Sequence, residues 1–255
     1  FVRESERESP ITVWLLLDAT ASAGQADRAA PQRTRLDHMC GVAACLVELA
    51  LQQGDRFGLL AINGDGLRLV PAANGARQRD RVHLQLHALQ ARGAWPVAER
   101  LRPLWERVRP GDLLLAIGDG FDEAGIVLLE HLASARREVM LLQVLTADER
   151  DFPFDAGHRF RDPETGEELL GDGAAIRADY LQRFAAAHSA LQARLQASGI
   201  ASATGWLDHH FEVTFANNSL LQQTETAIEQ RFREHLPPRP RVTQHLGHLH
   251  GHFSR

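Results

Sequence analysis

Asp18, Thr20 and Ser22 follow directly on the apolar run Val13-Trp14-Leu15-Leu16-Leu17, so one carboxylate and two hydroxyls arrive at alternate positions just past it. Carboxylate and hydroxyl oxygens are the ligands that a hard divalent cation such as Mg2+ takes. A second apolar run, Leu113 to Ile117, closes in the same way on Gly118-Asp119-Gly120. Runs of this length bounded by turn-formers read as strands buried on both faces, the pattern of a parallel sheet. Open sheets of that kind gather ligands at the carboxyl ends of their strands. Asp18, Thr20, Ser22 and Asp119 are therefore the candidate metal ligands. The same oxygens can instead bind backbone N–H groups as an N-cap and turn cluster, and both readings stand at this point. Asp122 and Glu123 read as first-turn helix acids favoured by the helix dipole.

The elements that must position these oxygens alternate in type. Residues 34–53 carry Leu36, Met39, Cys40, Ala43, Ala44, Leu46, Val47 and Ala50 at helical spacing, ended by Gly54-Asp55. Residues 56–62 read as a strand, and Asn63-Gly64-Asp65-Gly66 as a tight turn into a short strand at 67–70. Helices are expected at 78–90 and 97–108, separated by Arg92-Gly93-Ala94-Trp95-Pro96 and stopped by Pro110-Gly111. After the second apolar run come a helix at 123–136 and a strand at 138–145. This order predicts an α/β fold, a doubly wound, mostly parallel sheet with helices on both faces. The stretch 147–172 is rich in Asp, Pro and Gly, and 160–170 reads as a small inserted β-hairpin turned by Glu164-Thr165-Gly166. A long amphipathic helix at 175–198 ended by Gly199, a last strand at 200–206 and a polar helix at 220–236 complete the pattern. The expected organisation is a linker at 1–10, one main domain at 11–221, and a helix and His-rich tail at 222–255.

The composition removes whole classes of function. All 28 basic residues are arginine. The phosphate-cradling loop of nucleotide hydrolases and the imine of Schiff-base enzymes both need a lysine, so neither site is present. The bias itself fits a GC-rich genome. A net charge of −5 argues against a nucleic-acid partner, which would call for a basic face. Cys40 and Cys45 lie five positions apart on a predicted helix and point in different directions, so no disulfide is expected and a reducing, cytoplasmic setting is. No apolar stretch approaches the roughly twenty residues that span a bilayer, so membrane insertion by this portion is not expected. The chain starts at Phe1, and an upstream region carrying an anchor is compatible with that. Gly-x-Ser-x-Gly and His-Glu-x-x-His are absent. His245-x-x-His248-x-His250-x-His252 has imidazoles for a transition metal, but reads first as a solvated tail. His209-His210 reads as an exposed pair, and Trp95 as loop core or a partner contact.

Asp18-x-Thr20-x-Ser22 with Asp119-Gly120 resembles the metal-ion-dependent adhesion site of von Willebrand factor A domains. Further strings narrow the resemblance: Gln53-Gly54-Asp55-Arg56-Phe57-Gly58-Leu59-Leu60, Leu145-Thr146-Ala147-Asp148-Glu149, Phe160-x-Asp162-x-Glu164-Thr165-Gly166-Glu167 and Arg177-x-x-Tyr180. These look like the bacterial family catalogued as domain of unknown function 58. The lead-in at residues 3–10 is similar to that family's linker. The resemblance implies a von Willebrand A-like domain working with a MoxR-type AAA+ ATPase in assembling or activating other proteins. It also implies Thr20 and Ser22 as direct hydroxyl ligands of Mg2+, Asp18 and Asp119 as its acids, and a partner's carboxylate completing the octahedron. Three positions depart from that pattern. Gly93-Ala94-Trp95 stands where a Gly-Gly-Thr element would supply a hydroxyl, Ala23 replaces a methionine, and Gly118 replaces a serine or threonine. Losing one of few protein ligands weakens a Mg2+ site that already leans on water. The expectation is a non-enzymatic protein-binding adaptor with a degenerate adhesion site. The alternatives are a metal-dependent hydrolase using the same acids and a metal-free scaffold.

Overall fold

The computed structural model describes residues 10–155 and 157–208. Residues 1–9 of the linker expected at 1–10, the helix at 220–236, His209-His210 and the His-rich tail lie outside the described residues.

Six strands form the central sheet: β1 Thr12–Asp18, β2 Arg56–Asn63, β3 Gly66–Ala73, β4 Leu113–Gly118, β5 Glu138–Leu145 and, last in sequence, β8 Ala201–Trp206. Their spatial order is β3-β2-β1-β4-β5-β8. All pairs are parallel except β2 with the edge strand β3, to which it is joined by the tight turn at Gly64-Asp65. This is a doubly wound order, which reverses direction between β1 and β4. Asp18 at the end of β1 and Asp119 just after β4 flank that switch point.

Alternation along each strand sends side chains to two separate cores. Val13, Leu15, Leu17, Phe57, Leu59 and Ile117 face one side, under helices α1 Arg35–Gln53 and α2 Ala76–His87. Trp14, Leu16, Leu60, Ile62, Leu114 and Leu141 face the other, under α3 Arg102–Arg107, α4 Glu123–Ser134 and the C-terminal end of α6 Gly173–Ala197. Covering both faces is why β1, β4 and β5 read as unbroken apolar runs rather than alternating ones.

Local chemistry sets the boundaries. Thr34 and Asp37 form a reciprocal capping box at the start of α1, and Gly54 ends that helix in the left-handed region at φ 78°. The helix expected at 97–108 is split: Ala98–Leu101 is a 3-10 turn and α3 begins after it, with Pro103 in its first turn, where a missing N–H costs nothing. A short helix that the periodicity did not reveal, α5 Ala147–Asp151, follows β5 and is opened by a Thr146–Glu149 capping box. The inserted hairpin is β6 His158–Arg161 with β7 Glu168–Gly171, a two-stranded sheet apart from the main one. In α6 a half-buried stripe of Tyr180, Phe184, His188 and Leu191 leads to Leu195, which is fully buried.

Cys40 and Cys45 are not joined. The Cys40 thiol donates to the Leu86 carbonyl at 3.6 Å, and burial pushes it up to about 12, which disfavours the thiolate. Among the described residues no helix is long and apolar enough to cross a membrane.

Gly58 is the tightest point of the sheet. A Cβ there would stand 2.5 Å from the Trp14 ring and 2.9 Å from the Val70 carbonyl. Gly58→Ala is expected to destabilise the fold by about 1–3 kcal/mol through overpacking, read as a lowered urea midpoint.

Candidate functional site

Asp18 ends β1 half-buried, and the chain turns at once into a 3-10 segment, Ala21–Gly24. The turn is an Asx arrangement: Asp18 Oδ1 accepts the Thr20 N–H at 3.0 Å and the Thr20 hydroxyl at 2.7 Å. Thr20 Oγ1 is in turn 3.2 Å from Ser22 Oγ. Of the cap-and-turn reading only the turn at Asp18 is seen, since Thr20 makes no side-chain cap; the hydroxyls of Thr20 and Ser22 join Asp18 side chain to side chain, which brings the three residues' oxygens together. Gly118 is required beside them, because a Cβ there would meet the Asp18 Cβ at 2.8 Å. The threonine or serine missing at 118 is excluded by space.

Asp119 lies on the other side of the switch point and is committed to protein partners. Its Oδ2 accepts from Arg35 Nη1 at 2.6 Å, its Oδ1 from the Phe121 N–H at 3.1 Å, and its carbonyl from Gln143 Nε2 at 2.7 Å. Arg35, 1% exposed, is the first residue of α1 and also donates through Nη2 to Glu149 Oε1 at 2.6 Å. Longer contacts reach the Ser22 carbonyl and Gln25 Oε1. Arg35, Glu149 and Gln143 were not among the residues expected at the site. The Thr-x-x-Glu capping signal at 146–149 was legible, but nothing local ties Glu149 to an arginine 114 positions earlier.

The Gly93-Ala94-Trp95 loop crosses between two other loops. Its Gly93 carbonyl accepts the Ala21 N–H at 2.7 Å. Gly93 sits at φ 67°, and a Cβ there would meet Gly64 Cα at 2.5 Å, so two backbones touch at glycines. Trp95 turns inward: its ring lies over Gly125, and its Nε1 is buried without a hydrogen-bond partner. With Leu16, Asp18, Gly118, Ile126 and Leu129 it lines a cavity of about 30 Å³, room for about one water molecule.

A further carboxyl lies on the hairpin turn: Glu164, half-buried among exposed neighbours. Burial and, next, the Asp119 charge push Asp18 up to about 7, against the two Thr20 hydrogen bonds that lower it; Glu164 is pushed up as well, chiefly by burial. Of the acids on this face, Asp119 and Glu149 meet the buried Arg35 guanidinium.

The donor set suits Mg2+ in kind, all hard oxygen. The 2.7 and 3.2 Å separations at Thr20 are hydrogen-bond distances, so what Asp18, Thr20 and Ser22 offer a cation is the kind of donor, and Asp119 is held by Arg35. Among the described residues no three His, Cys, Asp or Glu side chains group into a metal cage, so the fit rests on hydroxyls.

A family profile described as "Protein of unknown function DUF58" matches residues 1–190. No curated protein matches the chain in sequence. Among solved structures, BatB from Bacteroides thetaiotaomicron is similar at 15% identity and TM-score 0.49, over 88% of this chain and 99% of that one. The SpRpn10 VWA domain is similar at 12% identity and TM-score 0.40, over 53% and 76% respectively. An uncharacterized membrane-spanning protein from Vibrio fischeri is similar at 15% identity and TM-score 0.30, over 90% and 100%.

Two stability predictions follow from these charges. A carboxyl held above its usual range in the fold keeps its proton there while the unfolded chain has lost it, so its contribution falls as pH rises from about 4 through 7. In chelator, Asp18→Asn is expected to melt above the wild type at pH 8 by a few degrees, at about 2–4 °C per kcal/mol, with the gap closing by pH 4. Arg35→Ala, which leaves Asp119 and Glu149 without their cation, is expected to cost about 3–5 kcal/mol in urea unfolding.

Proposed function

The chain belongs to the DUF58 family, and on that premise we propose that it is a non-enzymatic protein-binding module that meets its partner through the loop face at the carboxyl ends of β1 and β4. The observation that carries this reading is the exposure of two large apolar side chains on the loops of that face. Phe121, 51% exposed, directly follows the Asp119 turn, and Val97, 64% exposed, follows the Trp95 loop. Apolar side chains around a polar centre are the anatomy of a protein interface. Asp18, Thr20 and Ser22 are the residues that would hold Mg2+, and the ion would supply a positive charge for an acidic group of the partner to meet. The partner proposed is an AAA+ ATPase of the MoxR type, as the family resemblance implies.

Binding is favoured over metal-dependent hydrolysis by the state of Asp119. A two-acid site needs that carboxylate for a cation or a water, and here it is held by Arg35 and the Phe121 N–H.

The test is calorimetric titration of the chain with a MoxR-type ATPase, with and without Mg2+. Phe121→Arg is expected to weaken binding at least tenfold with the circular dichroism spectrum unchanged, and Ser22→Ala to remove whatever part depends on Mg2+. Equal binding by Phe121→Arg and wild type would overturn the reading. So would hydrolysis of a phosphate or ester substrate that is lost in Asp119→Ala.

A further inference from the structure

The pole of the sheet opposite the loop face carries a cavity of about 490 Å³, within the range of about 300–1,000 Å³ typical of small-molecule sites. Three arginines line it: Arg56 at the start of β2, Arg107 at the end of α3 and Arg109 in the loop that leads to β4. Thr12, the first residue of β1, adds a hydroxyl to the same wall. Donors from four separate parts of the chain thus converge on one concave surface.

Hydrogen bonds hold that wall in shape. Arg56 Nη2 donates to the Ala72 carbonyl of the edge strand β3 at 2.9 Å, and the Arg56 N–H to the Ile11 carbonyl at 3.0 Å. Arg109 opens the tight turn Arg109-Pro110-Gly111-Asp112, in which the Asp112 N–H returns to the Arg109 carbonyl at 3.0 Å. Gly111 takes φ 87°, as the third residue of a type II turn after proline must. Asp112 Oδ2 then accepts the Arg109 N–H at 2.8 Å and the Trp14 indole N–H at 3.0 Å, which ties the turn to β1.

The charges of the wall do not cancel. Two carboxylates, Glu106 and Asp112, share the lining with the three guanidiniums. Both have other partners: Asp112 the indole and the backbone N–H, Glu106 the Arg102 guanidinium at 3.5 Å. Among the described residues, Arg56, Arg107 and Arg109 form no ion pair. On a chain of net charge −5 this is a local reversal of sign, and a cleft with an excess of one charge concentrates the opposite ion. The guanidinium fork matches phosphate oxygens two at a time. A terminal phosphate has three free oxygens to meet guanidiniums arriving from three elements, where a carboxylate has two. We propose that this cavity binds a phosphate-bearing small molecule, with Arg56, Arg107 and Arg109 holding its phosphate oxygens. It shares no residue with the loop face, and stands independently of the protein-binding role proposed there.

The probe is pyrophosphate, titrated calorimetrically into the full chain, with citrate as a carboxylate of similar charge. Saturable pyrophosphate binding is expected, with citrate at least tenfold weaker. Arg107→Gln and Arg109→Gln are each expected to weaken pyrophosphate binding by about tenfold, the size of one lost charge-assisted hydrogen bond. Arg77→Gln, which removes the same charge from an exposed position on α2, is expected to match wild type. Glu106→Gln, which takes a negative charge out of the lining, is expected to bind several-fold more tightly, a gain that misfolding does not produce. Absence of saturable binding would sink the proposal. So would wild-type affinity in both Arg107→Gln and Arg109→Gln, an equal loss in Arg77→Gln, which marks diffuse charge, or equal binding of citrate, which marks a site without preference for phosphate.

Discussion

The Arg35 guanidinium is the pivot of the loop face. It is the first residue of α1, yet its nitrogens reach the loop after β1, the acid after β4 and, through Glu149, the cap of α5 after β5. Three strand ends that belong to different parts of the sequence are thereby pinned to one buried cation. A group of this kind is costly to bury, and it is tolerated because two carboxylates and two further oxygens meet it there. The geometry of the face follows from that cost: Asp119 is turned toward Arg35, and Asp18 is left on the other side with hydroxyls for company.

That division of charge separates two halves of the site. On the Arg35 side the acids are paired and structural. On the Thr20 side, Asp18 is met by a hydroxyl, and burial works against its ionised form. The unpaired half is where a cation or a partner would have something to stabilise. The paired half is in turn connected to the far edge of the sheet. Gln143, fully buried, donates to the Asp119 carbonyl and accepts from Thr204 Oγ1 of β8, which sits 3.1 Å from His188 Nε2 of α6. That helix is thus linked through hydrogen bonds to the same acid that Arg35 holds.

Most of the scaffold was legible because the signals that set it are short-range. The apolar runs of β1, β4 and β5, the Thr34 cap and Gly54 stop of α1, the Gly64-Asp65 turn and the Glu164-Thr165-Gly166 hairpin turn all depend on neighbours a few positions apart. The same holds for the convergence of Asp18, Thr20 and Ser22, which one Asx turn produces. The split of the expected 97–108 helix is also local in origin, since Pro103 prefers a helix start.

What the residues alone determined is the sheet, its order of strands and helices, and the oxygens carried to its switch point. Which of those oxygens stay available was decided only by tertiary structure. Arg35 reads in the sequence as an ordinary helix-start residue, and its pairing with Asp119 and Glu149 spans 84 and 114 positions. Glu164 reads as a solvated turn acid, and the folded chain leaves it half-buried in an otherwise exposed turn. Ion pairs and packing of this range depend on where whole elements dock, and no local period or motif encodes that.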